Sequence, residues 1–407
     1  MRHALRPVLT VWLAWLLLMM GVNLATPLYA VYAKQFHFSS LVLTAIFATY
    51  AVVLVPSLIV FGRLSDRIGR RLVIEIGLAS AIAGLALFAA AQSTVWLFGA
   101  RALQGLAVGM IGGAATAALV ELDPDDDRRR AALLAGLAQS AGSGLGPIAA
   151  GLLAQWAPAP RQLSYLVMVV ATLVAAVLVV RLPESGEGAR EPWRIQWPRV
   201  PRRARSGFVR VSLTAGVVWA TLALFLSIVP SYTGTILKTK NLALLAAVAA
   251  LALLASAGAQ LAERRLAPNV RRDQAIGLAV LAAGLIAVVG AGPLGSLPLL
   301  IVGALCAGAG HGLAFINAQQ ELNDLAPSER RGEVTAAFIA AIYTIVAAAV
   351  IAAGALDRWL SLPASVGAVS GVLVLLALAA AISQVRPRTL QRRWRPTASS
   401  RREATPG

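Results

Sequence analysis

Residues 62–71 read Gly62-Arg63-Leu64-Ser65-Asp66-Arg67-Ile68-Gly69-Arg70-Arg71, a segment with five charged side chains in ten positions. It stands between two apolar runs, 41–62 and 72–92. Each run is long enough for the roughly 20 residues that cross a bilayer as a helix. The segment is too charged for hydrocarbon and too short to be a domain, so it reads as a hairpin loop joining two membrane spans. Gly62 is small enough for two helices to approach closely, and Gly69 permits a tight turn. Asp66 offers one carboxylate among four arginines.

Outward from this loop the same alternation fills the chain. Apolar runs fall at 8–33, 41–62, 72–92, 95–119, 131–154 and 163–181, and again at 208–231, 241–262, 273–292, 296–319, 334–356 and 361–384. The composition agrees: of 407 residues, 58% are apolar and 13% charged, whereas a soluble domain has about 25% charged. A membrane barrel would show strands of about 10 alternating residues, so the expected fold is an all-α polytopic membrane protein with 12 transmembrane helices. It divides into an N-terminal six-helix half (1–181), a linker (182–207), a C-terminal six-helix half (208–385) and a basic tail (386–407). The first run is longer than the apolar region of a cleaved signal peptide. The linker, with Pro183, Pro192, Pro198 and Pro201 among many arginines, cannot form a regular helix. Trp193 and Trp197 within it are expected at the membrane surface.

The net charge of +18, from 36 Lys+Arg against 18 Asp+Glu, would suggest nucleic acid in a soluble protein. Here its placement decides otherwise. With the N-terminus in the cytoplasm, 30 of the 36 basic residues fall on the cytoplasmic side, five on the other, and Arg101 alone inside a span. By the positive-inside rule both termini are cytoplasmic, and the basic loops are expected to meet anionic lipids. No nucleic acid partner is expected. Trp96, Trp156 and Trp359 fall at outer ends and Trp12 near an inner end, as an aromatic belt requires.

The halves repeat. A glycine-rich span from Gly109 leads to Glu121-Leu122, an acidic stretch and Arg128-Arg129-Arg130; from Gly310 the pattern recurs with Glu321-Leu322, Asp324, Glu329 and Arg330-Arg331. Two related six-span halves are characteristic of one large transporter architecture.

The 62–71 segment resembles the signature loop of the major facilitator superfamily, Gly-x-x-x-Asp-Arg-x-Gly-Arg-Arg, at every defining position. The resemblance extends over essentially all twelve spans and implies secondary transport by alternating access. It also implies that Gly62, Asp66, Arg67, Gly69, Arg70 and Arg71 form a conformational latch, with Asp66 meeting the start of span 11 near Gly332 and Val334 when the transporter faces outward. A helix N-terminus favours a carboxylate, though Glu333 at that end opposes it. The corresponding second-half segment, Gly258 to Arg272, has Ala262 where the Asp would fall, so only the first half carries the full latch.

Two further motifs point the same way. Arg101-Ala-Leu-Gln104-Gly105 in span 4 resembles the family's second motif, and a guanidinium inside a membrane is by default a functional candidate. In span 5, Gly142, Gly146, Pro147 and Gly151 resemble the helix-bending motif of the antiporters, although Ala138 and Ala150 replace glycines of the full pattern. Export by antiport is therefore the favoured reading.

The resemblance places spans 1, 4, 7 and 10 around the substrate cavity. Their polar and aromatic residues are Asn23, Thr26, Tyr29, Arg101, Gln104, Trp219, His311 and Asn317, with Tyr343 of span 11 added. So little charge suits a small amphiphilic compound better than a sugar or a dicarboxylate. Proton coupling needs an ionisable group inside the membrane, and span 1 has no acid. Glu75 and His311 are the coupling candidates, with Asp357 at the outer end of span 11 also considered; Glu75 is equally a partner for Arg71, four residues before it.

Several chemistries are excluded. One cysteine, Cys306, rules out a disulfide framework and a Cys-based zinc site. The acidic run from Asp123 has Arg128 and Leu134 where a calcium loop needs Gly and Glu. No phosphate-binding loop for ATP is present, no cofactor or metal is expected, and the chain does not read as an enzyme. The sequence reading is a bacterial inner-membrane multidrug or metabolite exporter, monomeric, exchanging its substrate for protons. Its rivals are an importer or uniporter of the same fold, and a non-transporting membrane sensor or scaffold.

Overall fold

The structure, a computed structural model, describes residues 6–125, 127–184, 199–263, 269–326 and 331–385. Among these the N-terminal half contains α1 (Arg6–Asn23), α2 (Tyr29–Phe36), α3 (Ser40–Ile68), α4 (Arg70–Ala89), α5 (Thr94–Glu121), α6 (Arg128–Trp156) and α7 (Leu163–Val180). The C-terminal half contains α8 (Arg205–Ser227), α9 (Val229–Ile236), α10 (Leu242–Glu263), α11 (Val270–Leu294), α12 (Leu297–Leu325), α13 (Arg331–Leu356) and α14 (Leu362–Val385). Eleven of these helices are long and apolar enough to cross a membrane. The remaining long helix, α6, has 29 residues and is rich in Gly, Ser and Gln, because it packs between α1 of its own half and α10 of the other. The centre of the linker, with Trp193 and Trp197, and the basic tail lie outside the described residues.

Three local features differ from the sequence reading. The first span is not one helix: it breaks between Asn23 and Tyr29. Pro27 causes this, since it has no N–H and its ring clashes with the carbonyl four residues earlier. The seventh span begins earlier, at Arg205, and breaks at Ile228, with Pro230 in the first turn of α9. The signature segment is not an open loop. Helix continues through Ile68 and resumes at Arg70, so Gly69 alone makes the turn, at φ +102°. That left-handed conformation is open to glycine and costly for other residues.

The end of the molecule bearing residues 62–71 is called here the latch side, and the opposite end the far side. Contact between the halves runs through α6 against α10 and α3 against α13. In the first pair, small residues set an antiparallel register: Gly136 meets Gln260, Gly144 meets Leu254, and Gly151 meets Ala246. The packed core is asymmetric. Far-side residues of the N-half, including Tyr29, Phe47 and Ala150, share one core with the C-half residues Tyr232, Val248 and Val350. Latch-side residues of the N-half, such as Val11, Leu78, Ala114 and Val179, form a separate core with none of the C-half in it. The halves therefore share apolar core on the far side.

Candidate functional site: a split central pathway and its latch

The break in span 1 exposes backbone carbonyls that an intact helix would occupy, and span 4 supplies the donors. Gln104 Nε2 donates to Gly21 O at 3.1 Å, and Arg101 donates through one terminal nitrogen to Val22 O at 2.9 Å and Gln104 Oε1 at 3.0 Å. Asn23 donates to Met19 O and, across to α6, to Ser143 Oγ at 3.1 Å. Arg101 is 1% exposed, so it does not extend toward the membrane surface. Its guanidinium lies 5.0–5.7 Å from the ring centres of Phe47, Tyr29 and Tyr50, a range in which ring faces attract a cation. Tyr29 is buried, as is Thr26 in the break itself. Tyr343 meets Tyr50 edge-on at 6.1 Å, joining the two halves next to this cluster.

The C-half wall has a different character. His311, with no exposed surface, meets Trp219 edge-on at 4.9 Å and stacks near Phe315 at 5.5 Å. Its Nδ1 shares a 2.8 Å hydrogen bond with Ser256 Oγ. Gln260 Nε2 donates both to Ser256 Oγ at 3.1 Å and to Ser140 Oγ of α6 at 3.0 Å. One polar chain thus leads from a buried imidazole in α12, along α10, into the other half. Asn317, further along α12, donates to Glu263 Oε1 of α10 at 2.9 Å.

The latch residues form a compact ionic cluster. Arg70 pairs with Asp66, donates to Ser65 Oγ at 2.7 Å and reaches Glu121 at 3.2 Å. Arg71 lies 3.3 Å from Glu75, and its backbone N–H donates to Glu184 at 3.0 Å. Arg67 is exposed, and Gly62 lies within α3. Asp66, with 43% of its side chain exposed, engages its own segment in this conformation. Glu75 belongs to this cluster at the latch-side end of α4, apart from the central residues.

The antiporter-like motif of α6, with Pro147 inside it, serves two faces. A Cβ on Gly142 would lie 2.6 Å from Leu16 O, and Gly146 sits equally tight on Met20, so both press α6 on α1. Gly151 instead faces α10, where a Cβ would lie 2.9 Å from Leu242 O.

Sequence reasoning passed over Ser256, Gln260 and Glu263, and read Glu321 only as part of the repeat, with no role for its bonds to Arg210, Arg271 and Gln274. The signal was present: Ser256, Gln260 and Glu263 recur at helical spacing on an otherwise apolar helix, a polar stripe that must face protein. Phe315, four residues after His311, was hidden because an aromatic residue in an apolar span is unremarkable by itself.

Comparison with known proteins agrees with this architecture. The family model described as Major Facilitator Superfamily matches residues 11–350. A triacylglyceride transporter of Mycolicibacterium hassiacum is 34% identical over 155 residues, 37% of this chain and 28% of that protein. The multidrug efflux pump LfrA of Mycolicibacterium smegmatis is 36% identical over 122 residues, 30% of this chain and 24% of that protein. The matches thus span about a quarter of these relatives' lengths. Among solved structures, a POT family transporter in complex with 5-aminolevulinic acid superposes with a TM-score of 0.75 at 13% identity, covering 94% of this chain and 96% of that one. The human organic anion transporter MFSD10 superposes at 0.68 with 19% identity, covering 93% and 99%. Broken first and seventh spans, two repeated halves, the ionic turn at Gly69 and the match over most of the chain lead to one assignment: the chain belongs to the Major Facilitator Superfamily and is a multi-pass membrane transporter.

Proposed function

We propose that this transporter exports a small amphiphilic compound in exchange for protons, by alternating access, from the inner membrane of a bacterium, with both termini in the cytoplasm. The observation that carries the reading is His311. It is an ionisable group buried within a membrane span, the kind of residue that is by default a functional candidate, set against Trp219 and Phe315 on one side. On the other it is connected through Ser256 and Gln260 to Ser140 of the opposite half. A proton taken up there changes a hydrogen-bond chain that spans both halves, which links protonation to their relative position. The aromatic pair offers apolar surface to a ligand and few fixed charges. The glycine-rich face of α6 and the partial likeness to a named efflux pump support export. In this reading the unit is a monomer, and its basic loops lie against anionic headgroups.

Everted membrane vesicles loaded with an imposed proton gradient test it. Adding cationic, neutral and anionic amphiphilic dyes in turn should dissipate the gradient for at least one of them. Equilibration of a dye with no movement of protons would instead show a uniporter, and no effect of any dye on gradient or accumulation would favour a sensor.

A further inference from the structure

The antiparallel pair α3 and α13 is built at its two ends from similar parts with the roles exchanged. At the latch side the acid, Asp66, belongs to the end of α3, and the helix that starts there is α13. At the far side α13 ends at Leu356, the acid is the next residue, Asp357, and the helix that starts there is α3. There Ser40, the first residue of α3, donates its hydroxyl to Asp357 Oδ2 at 2.6 Å. The cap residue before it, Ser39, makes no side-chain cap bond, and the hydroxyl bond places the carboxylate at the start of a 29-residue helix, where the partial positive charge of a helix N-terminus favours it. One turn earlier in α13, a Cβ on Gly354 would lie 2.7 Å from the Ser40 carbonyl and would press on Thr44. Only a glycine allows the two backbones so close. Asp66 at the opposite end is half exposed and pairs with Arg70 of its own segment.

We propose that Asp357 is the far-side gate residue of the transport cycle: bonded by Ser40 and set against the start of α3, it holds the far ends of the two halves together, and it releases when Asp66 engages at the latch side. The cycle then alternates between two carboxylates on one helix pair, each meeting the N-terminus of the other half's helix. Asp357 acts as a positioning residue, remote from the aromatic wall at His311. The inference rests on the chain being an alternating-access transporter and is independent of what it carries.

The test uses the full chain in lipid nanodiscs with Cys306 replaced by serine. One spin-label pair sits at exposed far-side positions, Val95 and Leu294, and another at exposed latch-side positions, Val180 and Val385. Wild-type protein should show a short far-side and a long latch-side distance. Asp357→Ala should change the ratio of far-side-closed to far-side-open molecules by about tenfold, the scale of losing one charge-assisted hydrogen bond. Ser40→Ala should shift it in the same direction by less, Asp66→Asn in the opposite direction, and the double variant Asp66→Asn/Asp357→Asn to an intermediate value. If Asp357→Ala folds poorly, Ser40→Ala and Asp357→Asn carry the comparison. Unchanged distances with a lowered melting temperature would mean a merely structural contact and overturn the gate. Unchanged distances alongside dye-evoked proton movement in wild type would sink the gate and leave the exporter reading intact. Shifted distances with no dye-evoked proton movement would do the reverse.

Discussion

The two halves share a plan but place their buried polar groups differently. At the latch-side end of span 4, Glu121 meets Arg70 at 3.2 Å; at the end of span 10, two hundred residues on, Glu321 meets Arg271 at 3.3 Å. Likewise Tyr32 donates to Phe88 O at 3.1 Å and Tyr232 to Val288 O at 3.0 Å, each tying the short second segment of a broken span to its neighbour. Mid-membrane the likeness stops. The N-half has Arg101 and Gln104 holding a broken helix, whereas Ile301 and Ala304 stand two hundred residues later. The C-half has His311 and its chain to Ser140 instead. Duplicated scaffold contacts therefore set the shape of each half, and the unduplicated centre divides into a wall built on Arg101 and an aromatic wall built on His311.

The largest effect that could break this comparison is expected at Arg101. Arg101→Ala should destabilise the purified protein by about 3–4 kcal/mol, because Val22 O and Gln104 lose their donor and a space opens under three rings. Arg101→Lys should recover part of that in a thermal melt. A melting curve like that of wild type would mean the N-half wall is not held by this residue.

The ionic pairs come next. Glu321 has 11% of its side chain exposed and serves both Arg210 and Arg271, whereas Glu121 is 31% exposed. Glu321→Gln should cost about 2–3 kcal/mol, toward the range for breaking a buried pair, and Glu121→Gln about 0.5 kcal/mol, as for a surface pair. Denaturation in detergent measures both. Equal losses would show that the repeated pairs do the same work despite their different burial.

The smallest effect sharpens the comparison from the other side. Tyr32→Phe and Tyr232→Phe should each cost about 0.6 kcal/mol, typical of a hydrogen bond between membrane helices, and the two losses should match. A large difference between them would mean that the scaffold contacts are not equivalent after all.

Much of the fold was legible because it follows from length and hydropathy. Run boundaries such as 163–181 and 241–262 lie within about three residues of α7 and α10. The breaks at residues 24–28 and at Ile228 were not read, although Pro27 and Pro230 are visible signals, because a continuous apolar run conceals a helix interruption that neighbouring side chains satisfy. For the candidate site, residue types were legible and partners were not. Arg101 stood out as a charge in a span, but that it splints Val22 O depends on which face of α5 meets α1. Asn317 read as cavity-lining by its position, while its bond to Glu263 depends on which face of α12 meets α10. Asp357 was visible as an acid at the end of a span, while its contact with Ser40 joins residues 317 positions apart, a pairing that no local pattern encodes.

The most direct test of the central claim is proton movement across proteoliposomes containing wild-type protein or His311→Asn, started by adding a dye that the vesicle screen identifies. The account predicts that wild type couples dye movement to proton movement, and that His311→Asn still exchanges dye across the membrane with its proton signal lost. Full coupling in His311→Asn, or wild-type dye equilibration with no proton movement, would contradict it.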